Sequence, residues 1–200
     1  MKKPLSAFGL LFLAGCQTVV YWENLPPPRA NVPVSMPKDD IETVERAVGI
    51  GQRLANARPL PVDRIWITSS YYYRKDRKIT APDAIVLMWG RCGKGTPPPS
   101  GCITLDDTYL TRMTDEALAA LVAYAMATIE RGVKVADFYG NERWESDDYT
   151  LARLQAAGFC AGEAMRKAGK EMVEIQGPRF GTYAFHPWQH HPPDCGPKNK

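Results

Sequence analysis

The chain has 200 residues, 24% of them charged, and a formal charge of +3. That balance is too even for a nucleic-acid binder and offers no field for an acidic partner. The length suits one domain with a proper core, and no apolar run reaches the roughly 18 residues that mark a membrane span.

Lys2 and Lys3 open the chain, and a short apolar run from Leu5 to Leu13 follows. The run is too short to cross a bilayer as a mature helix. It ends in Leu13-Ala14-Gly15-Cys16, which resembles the lipobox of bacterial lipoproteins. The resemblance implies a signal peptide over 1–15, cleavage before Cys16 and acylation of Cys16. It places the mature chain in the bacterial cell envelope. Gln17 after the Cys is similar to sorting to the outer membrane, facing the periplasm. A triacylated Cys holds to a membrane without a second signal.

Residues 16–37 carry the acylated Cys and five prolines, and read as an extended tether that could reach roughly 60 Å. The domain proper is expected over 38–175. Asp39 or Asp40 caps a helix whose apolar positions Ile41, Val44, Val48 and Leu54 recur at helical spacing. "DRIWITSSYYY" reads as a strand, Asp83 to Trp89 as a second and Cys102 to Leu105 as a third. "DDTYLTRM" is a short helix. Thr114 then caps a long helix to about Arg131, stopped by Gly132, with Asp115 and Glu116 where the helix dipole favours acids. Its expected buried stripe is Leu118, Leu121, Val122, Ala125, Met126 and Ile129. "FYGNERWESDD" reads as a loop or short turn. Residues 149–174 give one or two helices, broken near Gly158 or Gly169. The remainder, 176–200, reads as an irregular tail rich in Pro, His and aromatics. Strands early and helices late predict an α+β domain with a small early sheet, rather than alternating βαβ units.

Four cysteines remain after Cys16, an even number that argues for two disulfides in an exported chain. Three pairings are possible. The simplest joins Cys92 to Cys102 across the turn-rich "GKGTPPPSG", leaving Cys160 with Cys195. No GxSxG elbow, phosphate loop or dinucleotide fingerprint is present.

The order of these parts, with "TDEALAALVAYAMATIERG" and "RWESDDYTLARLQAAGF", resembles the core of the family-48 zinc metallopeptidases, a gluzincin family. The resemblance spans roughly residues 40–168. It implies a gluzincin-like domain whose long helix carries an HExxH motif and packs on C-terminal helices. Two His at i and i+4 share a face and reach one Zn²⁺, the Glu takes a proton from bound water, and a Glu of the next helix completes the ligands. Carried over by position, the His sites are Tyr124 and Thr128, the Glu site is Ala125, and the third ligand site is Arg143. None of the four can serve. The hydroxyls stay protonated at neutral pH, Ala has no base, and Arg sets a permanent charge where the cation belongs.

The expected protein is therefore a pseudopeptidase: an envelope lipoprotein without metal or cofactor. It would bind a peptide or an envelope protein in the cleft beside Tyr124 and Thr128, edged by the early strands. Two alternatives stand beside it. One is an active zinc peptidase using His186, His190 and His191 of the tail, with Asp194 near. The other is a structural envelope lipoprotein unrelated to peptidases.

Overall fold

A computed structural model describes residues 19–22, 38–69, 100–105, 107–132, 142–176, 183–192 and 194–195. The signal peptide, Cys16, the strand expected over 83–89 and Cys92 lie outside the described residues, as do the side chains of Cys102, Arg143 and His186.

Helices dominate, beside one small sheet. The elements are β1 (Val19–Trp22), α1 (Lys38–Ala57), β2 (Arg64–Ser69), β3 (Ser100–Leu105), α2 (Asp107–Arg112), α3 (Asp115–Arg131), α4 (Glu142–Ala156) and α5 (Ala161–Gln176). A 3-10 helix over Tyr183–His190 follows.

The sheet differs from the expectation in topology. It is parallel throughout, in the order β1-β2-β3. Val19 pairs with Arg64 and Trp22 with Ile67, while Arg64 pairs with Ser100 and Ser69 with Leu105. β1–α1–β2 is thus a βαβ unit. It was not foreseen because β1 lies inside the proline-rich segment read as tether. Four residues, Val-Val-Tyr-Trp, are too few to show a period, yet each is a strong strand former.

α3 is the centre of the fold. Thr114 caps it, accepting from the Ala117 N–H, and Gly132 closes it in the left-handed region at φ 66°. Only glycine takes that conformation without strain. The expected stripe became a helix buried on every side from Ala117 to Thr128. A helix without a polar face belongs inside, and six alanines let its neighbours come close. α1, α4 and α5 pack around it, and β3 reaches its C-terminal end at Gly101, beside Ile129.

The arginines of α1 fasten these helices together. Arg46 donates to the Leu110 and Met113 carbonyls after α2, at 2.9 and 2.8 Å. Its Nε lies 3.2 Å from Asp115 Oδ1, an ion-pair contact without hydrogen-bond geometry. Arg53 donates to the Ala157 carbonyl at the end of α4 and stacks over Phe159. Cations at helix C-termini satisfy carbonyls that have no partner within the helix. Glu171 of α5 accepts from both the N–H and the hydroxyl of Thr114, so it holds the start of α3.

α4 begins where a loop was expected. Its inward face is largely polar: Ser146, Asp147, Thr150 and Arg153 are buried beside Leu154. A reading by apolar period cannot find such a helix. Gly158, at φ 74°, makes the break before α5; Gly169 lies within α5 and does not interrupt it. Among the described residues no helix is long and apolar enough to cross a membrane.

Candidate functional site

Three of the four residues matched to the zinc site, Tyr124, Ala125 and Thr128, fall on one stretch of α3, and all three are buried. Tyr124 and Thr128 are 1% exposed and Ala125 is sealed. The Thr128 hydroxyl donates to the Ala125 carbonyl at 2.6 Å, so its proton is spent inside the helix. Arg143 is the second residue of α4.

The chain's own tail packs against this part of α3. Trp188, in the 3-10 helix, has no exposed surface. Its ring stands edge-on to Tyr124, with centroids 5.5 Å apart and planes at 77°. The indole N–H donates to Asp147 Oδ1 at 3.0 Å. Edge-to-face packing sets the positive rim of one ring against the negative face of the other. The hydrogen bond solves a second problem, because a buried indole N–H without a partner is costly. Tyr124 and Thr128 both belong to a closed core.

The tail is also ordered where an irregular strap was expected. Eight residues in 3-10 conformation, with Pro187 inside, exceed the usual run of three or four. Three contacts hold it besides Trp188. Cys160 and Cys195 are joined, with sulfurs 2.11 Å apart. The Pro192 carbonyl rests on Gly162, where a Cβ would come within 2.2 Å of it. The Asp194 carboxylate takes N–H groups of Gly162 and Glu163 in the first turn of α5. These are donors that a helix start leaves open. Burial raises the Asp194 pKa, but those bonds, its own N–H and the Gln155 side chain outweigh it, and the net shift is downward.

His190 is exposed and His191 half-buried, its Nδ1 turned towards Gly162. Among the described residues no three His, Cys, Asp or Glu groups are gathered closely enough to hold a metal ion.

A second polar centre was not foreseen. Arg153 of α4 has a fully buried side chain. It donates to Glu130 Oε2 at 2.6 Å, to the Leu54 carbonyl at 3.3 Å and to the Arg58 carbonyl. Arg58 takes the other oxygen of Glu130 through Nε and Nη2, at 3.0 and 2.7 Å. Burial lowers the Arg153 pKa, Glu130 raises it, Arg58 lowers it again, and the net direction is down. One carboxylate thus ties α1, α3 and α4 together. Tyr149, the large apolar side chain most exposed among the described residues, lies under Arg58 and Arg131 at 5.2 and 6.0 Å. A charged residue at i, i+4 spacing on a polar helix gives no sequence signal that it is buried rather than solvated.

No family model, no curated protein and no solved structure matches the chain.

Proposed function

We propose that the chain is a lipid-anchored envelope domain with a gluzincin-like core that acts by binding and not by catalysis. The observation that carries this reading is the convergence on Trp188. Tyr124 stands at the position matched to the first zinc-binding His, and Asp147 lies one turn after Arg143, the position matched to the third ligand. Both touch one indole. Residues of α3 and α4 thus meet at one point, and an aromatic ring lies between Tyr124 and Asp147. A site of this kind has exchanged a hydrated ion for packed apolar volume, and that exchange stabilises a fold without supporting hydrolysis.

The same geometry supports a peptide-binding ancestry for the groove. The tail enters as a bound peptide does: an aromatic anchor in a pocket, a polar handle at its rim, and main chain laid along a helix. In this reading the occupant is the chain's own segment 183–195, and an envelope partner meets the outer surface.

The test is metal content and proteolysis on the oxidised full chain. Expected are zinc well below one per chain after dialysis and no cleavage of casein with or without chelator. Stoichiometric zinc with chelator-sensitive cleavage sinks the proposal and revives the peptidase that uses His186, His190 and His191.

A further inference from the structure

We infer that the Cys160–Cys195 disulfide is a redox latch: a dithiol protein reduces it, the tail lifts, and Trp188 leaves Tyr124 and Asp147 while the helices stay folded. This adds regulation to the binding reading, yet it rests on the disulfide and the docked tail alone and needs no peptidase ancestry.

The bridge lies where a reductant can reach it. Cys195 is exposed and Cys160 half-buried. Exposed disulfides are the ones that thiols open most readily. Cys160 is also the N-cap of α5, since its carbonyl accepts the first helical bond from the Ala164 N–H at 2.8 Å. A thiolate released there meets N–H groups and the positive end of the helix dipole. In the closed form the Asp194 carboxylate takes the Gly162 and Glu163 N–H groups. Asp194 precedes Cys195 in the chain, so it departs with the tail and leaves those donors to the Cys160 thiolate.

Without the bridge the tail holds weakly. Of the described side chains in 187–195, only Trp188 is buried. Beside it, Gln189 Nε2 and His191 Nδ1 are buried without a hydrogen-bond partner among the described residues. Such atoms penalise the docked form and find water when the tail lifts. A 3-10 run of eight residues has poor hydrogen-bond geometry and does not persist alone. The bridge opposes all this. On a folded α5 it closes a loop from Gln176 to Cys195, about 20 residues, and such a link favours docking on the order of a hundredfold.

The exchange balances with a dithiol alone. One thiolate of the reductant attacks the exposed Cys195 sulfur, the S–S bond breaks, and Cys160 leaves with the electron pair. The second thiolate attacks its partner sulfur in the mixed disulfide, and Cys195 leaves in turn. Two electrons and two protons pass to the cysteines, and the reductant ends as a disulfide.

The experiment has two arms on the full chain. In the first, the oxidised protein is treated with reduced thioredoxin without denaturant, and free thiols are alkylated and located by mass spectrometry. Expected is alkylation of Cys160 and Cys195. In the second, hydroxyl-radical oxidation is compared between the oxidised parent, the thioredoxin-treated parent and the Cys160→Ser/Cys195→Ser variant, which leaves Cys92 and Cys102 untouched. Expected is oxidation of Trp188 faster by about tenfold or more in both open forms, with Met126, sealed within α3, unchanged. The inference is overturned if Cys160 and Cys195 react only after urea is added, or if Trp188 keeps the oxidised parent's rate. It is equally overturned if Met126 becomes reactive together with Trp188, because the bridge is then a staple of the whole fold and not a latch on the tail. Zinc content and casein cleavage, which test the proposed function, leave each of these outcomes as it is.

Discussion

Trp188 meets Tyr124 edge-on at 5.5 Å between ring centroids, joining the tail to the most buried helix of the fold. The contact makes a testable demand on stability. Trp188→Ala removes the largest fully buried side chain and the N–H donor to Asp147 together. A loss of about 3–5 kcal/mol is expected. Trp188→Phe keeps most of the ring and loses the donor, for about 1–3 kcal/mol. Urea unfolding of both variants measures this. An alanine variant within about 0.5 kcal/mol of the parent would be a surface substitution, and the tail would not be part of the core.

Arg153 and Glu130 predict an asymmetry. Glu130→Gln leaves a fully buried guanidinium facing a neutral amide, which costs about 3–5 kcal/mol. Arg153→Met removes the buried charge itself. It strips one donor from the Leu54 and Arg58 carbonyls but leaves Glu130 its bond to Arg58. The expected loss is about 1–3 kcal/mol. The two unfolding midpoints give the order, and a glutamine variant more stable than the methionine variant contradicts this account.

The ends of α3 were legible from its residues, because Thr114, the acids after it and Gly132 are local signals that need no tertiary knowledge, but its burial on every side was not. α4 was only half legible. Its core-facing residues Ser146, Asp147, Thr150 and Arg153 are polar, and their burial depends on partners in α1, α3 and the tail. β1 was hidden by the prolines after it, and a parallel strand gives no turn signal to mark its partner. The candidate site shows the same division. That Tyr124, Ala125 and Thr128 offer no zinc-ligand chemistry could be read directly. That Trp188 would lie against them could not, since 60 residues separate it from Thr128 and only the fold brings them together. The Cys160–Cys195 pairing was one of three open on paper, and the structure joins those two residues.

Gly162 sets helix propensity against close approach. In an exposed helix Gly→Ala stabilises by about 0.8–1 kcal/mol. At this position the new Cβ would lie 2.2 Å from the Pro192 carbonyl oxygen, and the tail is held by Cys195 close by. A backbone atom so restrained cannot yield cheaply, so Gly162→Ala should destabilise by about 1–3 kcal/mol. Gly162→Ala combined with Cys195→Ser should recover part of that loss, because the tail can then shift. A single variant more stable than the parent would mean that the tail does not sit on the start of α5.

Asp194 makes the docking of the tail depend on acid. Its carboxylate is favoured in the folded state by the N–H groups of Gly162 and Glu163, so its folded pKa lies below the unfolded value of about 3.9. A depressed carboxyl pKa contributes stability that is complete above the unfolded value and is lost as pH falls through the folded one. Asp194→Asn should therefore lower the urea midpoint at pH 6 and leave it nearer the parent's at pH 2 to 3. The effect is small, because the side chain is largely exposed and its charge is screened. Paired titrations of parent and variant between pH 6 and pH 2 measure the gap directly. A gap of the same size at every pH would show that the carboxylate charge has no part in holding the tail to α5.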